Sequence, residues 1–125
     1  MKRHLVTALA FAGLAACAVD PQAVTERRAD LMERLFPDPT DREGLYLVFP
    51  IRTGGLNRTL LITHYVDTVS REEVLRRVAR YCAGLGSAEL TGEARLVKDL
   101  GPRKFSQPGG GTRTGFRGRY TCVSA

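Results

Sequence analysis

The sequence predicts an α+β fold: one helix laid on a small antiparallel sheet, in the order β-β-α-β-β, preceded by a short helical tether. Three observations carry that prediction. Apolar residues alternate with period 2 around 45–51, 58–66 and 116–123, as in half-buried strands. One segment, beginning after Ser70, carries apolar residues at helical spacing between clear start and stop signals. The chain has 125 residues, enough for a single domain, and 26% charged against 43% hydrophobic residues excludes wholesale disorder.

Residues 18–43 read as a tether with one short helix. Asp20 can cap its start with Pro21 at the first helical position, Leu31, Met32, Leu35 and Phe36 gather apolar area near its end, and Pro37 and Pro39 stop it. Its seven acids against four arginines fit a spacer better than a basic membrane-surface helix.

The compact domain is expected from Gly44. Leu45, Leu47, Phe49 and Ile51 alternate with Tyr46, Val48, Pro50 and Arg52, and Pro50, lacking an amide proton, argues for an edge strand or a bulge. Thr53-Gly54-Gly55-Leu56-Asn57 is a turn signal. Beyond it Leu60, Ile62, His64 and Val66 resume the alternation, making a hairpin.

Ser70 and Glu73 form a capping box for the helix. Val74, Leu75, Val78, Ala79 and Cys82 share one face, Arg71, Glu72, Arg76, Arg77 and Arg80 are expected to face water, and Gly84 and Gly86 end the helix. Residues 90–98 read as a third strand. Gly101 to Gly115, rich in Gly, Pro and charge, reads as a basic loop. In the last strand, 116–123, Phe116, Tyr120 and Cys122 share one face, with Arg117, Arg119 and Thr121 on the other.

The start of the chain carries a different kind of signal. Lys2, Arg3 and His4 precede an apolar run, Leu5 to Leu14, that is too short to span a bilayer and has the length of a secretory h-region. Leu14-Ala15-Ala16-Cys17 then resembles a bacterial lipobox, in which lipid is attached to the cysteine thiol and the chain is cleaved just before it. The alternative is ordinary signal cleavage at Ala10 and Ala12 or at Ala16 and Ala18. The resemblance implies a signal peptide over 1–16 and acylation at Cys17; with the patterning above, the chain divides into 1–16, an acylated N-terminus and tether over 17–43, and an α+β domain over 44–125. It implies a permanent membrane anchor too, since bacterial lipoproteins carry at least two acyl chains. Ala18, where Asp would signal retention, implies the outer membrane, with the domain facing the periplasm.

Cysteine parity agrees with acylation. The chain has three cysteines, and an exported protein meets oxidising conditions. With Cys17 acylated, Cys82 and Cys122 remain as one pair. The layout places Cys82 on the buried face of the helix and Cys122 on the same sheet face as Tyr120, so a bridge would staple helix to strand. The stretch Tyr81-Cys82-Ala83-Gly84 followed by Tyr120-Thr121-Cys122 is similar to a pattern in small proteobacterial envelope lipoproteins, which supports the disulfide and implies no activity.

Charge is unevenly spread. Arg95, Lys98, Arg103, Lys104, Arg113, Arg117 and Arg119 face Asp99 alone in the last 31 residues, whereas residues 17–94 are net acidic. Arg103, Lys104, Phe105 and Arg113, with Arg117 and Arg119, are therefore the candidate anion- or partner-binding residues, an aromatic set among cations. In an envelope protein the available anions are lipopolysaccharide, peptidoglycan or an acidic protein patch; nucleic acid is expected only if the export signal is misread.

No catalytic set is legible. Gly110 and Gly115 have P-loop spacing, but Phe116-Arg117 stands where Lys and Ser or Thr belong. The serines lie in no nucleophile elbow, and the neighbouring carboxylates fall on exposed segments. His64 alone, apart from His4, leaves no metal-ligand set, and no cofactor is expected. The expectation is a non-catalytic binding or scaffold protein; a small redox or hydrolytic enzyme is the alternative.

Overall fold

The computed structural model describes residues 20–53 and 56–125, so the expected signal peptide, Cys17 and the turn expected at Gly54-Gly55 lie outside the described residues. The sheet is built from β1 (Leu45–Thr53), β2 (Leu56–Tyr65), β3 (Leu90–Ser106) and β4 (Thr112–Ser124), all antiparallel in the order β1-β2-β4-β3. Helices α1 (Pro21–Leu35) and α2 (Pro39–Arg42) precede it, and α3 (Arg71–Gly84) lies between the two hairpins. The predicted α+β class and the β-β-α-β-β order are observed.

Register fixes which side chains share a face. His64 pairs with Phe116, Ile62 with Gly118 and Leu60 with Tyr120, so the even-numbered residues of β2 and β4 meet α3. There they bury Leu60, Ile62, Tyr120 and Cys122 against Val74, Val78 and Cys82 of the helix. Cys82 and Cys122 are joined in a disulfide across that layer, with Cα atoms 5.5 Å apart.

The bulge in β1 changes the expected alternation. Leu45 pairs with His64 but Leu47 with Thr63, leaving Tyr46 as an extra residue. One inserted residue reverses every later side chain, so Val48 is buried with Leu45 while Leu47, Phe49 and Ile51 turn to the opposite face. Phe49 is 53% exposed as a result.

Helix α3 starts as its sequence dictates, with the Ser70 hydroxyl accepting from the Glu73 amide at 3.1 Å. The other half of the capping box is not made. The Glu73 carboxylate instead accepts from Arg76 Nε at 2.8 Å and Arg77 Nε at 3.2 Å, and these arginines hold it below the usual carboxylate range. Arg77 was expected to face water but is buried: three residues from Val74 and one from Val78, it lies on the same arc of the helix. Its Nη1 donates to the carbonyls of Asp41 and Glu43, tying the α2–β1 connection to the core.

The tether is docked. Asp20 caps α1 by accepting from the Gln22 amide at 3.0 Å, and Met32 and Leu35 pack on the core. Phe36 is only 2% exposed, against Tyr81 of α3 at 6.0 Å, so the packed unit begins ahead of Gly44.

The expected loop over 101–115 is a hairpin. β3 continues to Ser106, β4 starts at Thr112, and Phe105 pairs with Arg113. The turn is confined to 107–111, where Gly109, Gly110 and Gly111 all take positive φ. The other glycines mark sheet irregularities rather than a loop. Gly101, at φ 80°, falls in the register shift between Asp99 and Pro102, and Gly115 leaves room for a ring, since a Cβ there would meet Phe105 at 2.6 Å.

Candidate anion-binding face

The face of the sheet opposite α3 carries the odd-numbered residues of β2 and β4. Arg117 stands beside Thr63, Arg119 beside Leu61, and Thr121 beside Thr59. Two of these pairs are hydrogen bonded: Arg117 Nε donates to Thr63 Oγ1 at 2.9 Å, and the Thr59 and Thr121 hydroxyls lie 3.0 Å apart. From β3, Arg95 lies beside Thr121, Lys98 beside Arg119, and Arg103 beside Gly115. From β1, Leu47, Phe49 and Ile51 complete the face.

The result is a two-part surface. Along β3 and β4 stand Arg95, Lys98, Arg103, Arg117 and Arg119; along β1 and β2 stand Leu47, Phe49, Ile51 and Leu61. Among the described residues none of these five cations has a carboxylate within ion-pair distance. Asp99, the one acid of the last 31 residues, faces the helix side, where Arg71 lies 3.6 Å away. Uncompensated like charges on one face create a positive potential that attracts anions.

The predicted residues divide into two groups. Arg103 and Lys104 are exposed at the β3–β4 ribbon, and Arg117 and Arg119 are half-buried on the open face. Arg113 is already engaged: it clasps Asp67 through Nε at 3.2 Å and Nη2 at 2.8 Å, and its guanidinium lies 3.6 Å above the Tyr65 ring. That clasp holds the Asp67 carboxyl below its usual range. Phe105 is not a free aromatic either. It packs on Gly115, with the Tyr46 ring at 4.4 Å and the Tyr65 ring at 6.0 Å. Arg28 of α1 covers this cluster from outside, its Nη1 donating to the Tyr46 hydroxyl at 3.2 Å.

Sequence reasoning missed Leu47, Phe49, Arg95 and Lys98 as members of the face. The signal that could have found the last two is the strand register, which ordinary alternation hides when β3 carries three irregularities.

The two cystine residues are 1% and 3% exposed, whereas a redox-active thiol needs access to its partner. His64 is 1% exposed; its Nδ1 lies 3.0 Å from the Val69 carbonyl and donates to it in the neutral ring. Burial, with Arg71 and Arg77 nearby, pushes its pKa down despite that bond. Tyr120, without a hydroxyl partner among the described residues, is pushed up to about 12 by burial. A cleft of about 450 Å³ opens between the end of α1 and α3, but its Asp41 is paired with Arg80. Among the described residues no three His, Cys, Asp or Glu side chains gather as a metal ion would need, and no helix is long and apolar enough to cross a membrane.

The fold and this face define a two-layer α+β domain with one cross-linked layer and one open, cationic sheet surface. No family model, curated protein or solved structure matches the chain.

Proposed function

We propose that the chain is a lipid-anchored protein of the bacterial envelope, exported, acylated on Cys17 and held at the outer membrane facing the periplasm, where it binds an anionic envelope component without catalysing a reaction. The observation that carries the binding role is the open face, where five cations on β3 and β4, without carboxylate partners among the described residues, share one sheet surface with the exposed Phe49 of β1. The lipobox motif supports the anchor, and the Cys82–Cys122 bridge suits an oxidising compartment. Burial of both sulfurs weighs against the redox enzyme as the alternative.

Photo-crosslinking in intact cells tests this reading. A photoreactive residue at Phe49 should give a reproducible adduct that disappears when Arg117 and Arg119 are both changed to Glu. The same residue at Glu72, exposed on α3, should give none. Equal labelling from both positions would overturn the assignment of the face. Palmitate incorporation that survives Cys17→Ser would overturn the anchor.

A further inference from the structure

We propose that the anionic partner of the open face is the phospholipid surface to which the chain is tethered, so that the sheet lies against the headgroups. This rests on the acylation of Cys17 and names the partner of the face described above.

Reach is the first argument. Two residues, Ala18 and Val19, separate Cys17 from Asp20, the cap of α1, and the three steps span at most about 10 Å. Helix α1 has 15 residues, about 22 Å, and Phe36 immediately after it is in the core. The core therefore sits within about 35 Å of the anchored sulfur, roughly the width of a small domain. A helix docked on β1 cannot act as a slack leash that lifts the domain away.

Direction is the second argument. The C-terminal end of α1 leads into Phe36, which packs on Tyr81 of α3. Two turns earlier Arg28 meets Tyr46, whose ring packs on Phe105 near the turn end of the β3–β4 hairpin. From Arg28 back to Pro21 is about 10 Å more of helix. The described chain thus begins about 10 Å of helix beyond the residue that meets Tyr46, which leaves Cys17 a reach of at most about 20 Å from the Tyr46, Tyr65 and Phe105 cluster. That cluster sits at the end of the sheet from which Arg103, Lys104 and the open face continue.

Surface chemistry is the third. Five cations on β3 and β4 and the apolar Phe49 and Leu47 on β1, all on one sheet face, combine the two elements that interfacial binding uses, attraction to lipid phosphates and burial of apolar side chains at the headgroup boundary. Both clefts described in this molecule lie on its helix side, lined by α1 and α3 or by α3 and β3. A broad sheet surface suits a planar array of headgroups.

The chain contains no Trp, so a single introduced indole reports its own surroundings. The acylated full-length product is purified from membranes as Phe49→Trp or Glu72→Trp and reconstituted into vesicles with brominated acyl chains. In phosphatidylethanolamine vesicles containing phosphatidylglycerol, the Phe49→Trp emission should be quenched about twofold. Quenching should weaken without phosphatidylglycerol, and Glu72→Trp should stay unquenched in both. Adding Arg117→Glu and Arg119→Glu should abolish the quenching while the protein still floats with the vesicles. Gln at both positions serves as the milder variant if thermal melting shows the Glu pair to be unfolded. Three results would overturn the inference and leave the anchor intact: no quenching in floating protein, equal quenching with and without the anionic lipid, or equal quenching from both faces. A protein crosslinked at Phe49 in place of lipid would do the same. A product that fails to float in any vesicle would overturn the anchor and the inference together.

Discussion

The two faces of the sheet are made by the same strands and differ by one step along each of them. On the helix side, Leu60, Ile62 and Tyr120 are completely buried and the Cys82–Cys122 bond ties strand to helix. On the open side, the neighbouring residues are Leu61, Arg117 and Arg119, and Thr63 is covered by contacts that include an arginine. The difference teaches that the sealed core and the face proposed for binding are separated here by the pleat. Charges that would cost several kcal/mol if buried unpaired sit one residue away from a sealed core.

The contrast breaks most sharply at the disulfide. Replacing Cys82 and Cys122 with Ala should destabilise the domain by about 4 kcal/mol, because the bridge closes a loop spanning 40 residues of sequence. Denaturant melts of the oxidised, reduced and double-Ala forms would measure it. A loss below about 1 kcal/mol would mean that the helix face does not depend on its cross-link.

A smaller effect comes from His64, on the same buried face. Its folded pKa lies below the ordinary value of 6.5, so the unfolded chain takes up the proton first as the pH falls. The stability it supports should therefore be complete above about pH 6.5 and decline as the pH drops towards 5. Carboxylates such as Asp67 and Glu73, held below their usual range, titrate lower still and leave this window to the histidine. Thermal melts across it should show the slope in the native chain and not in His64→Gln. An unchanged slope in the variant would place the titration elsewhere.

The smallest effect on stability belongs to the open face. Arg117→Gln with Arg119→Gln should shift unfolding by no more than about 0.5 kcal/mol per site, the range of ordinary surface changes. Their effect should fall on partner labelling from Phe49. A loss of several kcal/mol would make these arginines part of the scaffold and erase the contrast.

Element order and the disulfide were legible in the sequence because both follow local rules. Ser70, the helical spacing of Val74, Val78 and Cys82, and the alternation through Tyr120 and Cys122 each act within a few residues. The same alternation correctly placed Arg117 and Arg119 opposite Tyr120. What was not legible depends on partners distant in sequence. The Tyr46 bulge appears only against β2, the Asp41 and Glu43 carbonyls that make burial of Arg77 tolerable reach it only in the fold, and Phe36 is core only once α3 is present. The segment 101–115 misled for a related reason. Gly101 and Gly115 have the composition of a loop, yet they serve a bulge and a ring contact inside a hairpin.

Hydroxyl-radical footprinting of the protein as the proposal has it, acylated and membrane-bound, and again in detergent, tests the division between the faces most directly. Membranes should protect Leu47, Phe49, Leu61, Arg117 and Arg119 while leaving α3 positions such as Glu72 and Arg76 equally reactive in both states. Protection confined to α3, or identical patterns with and without the membrane, would contradict it.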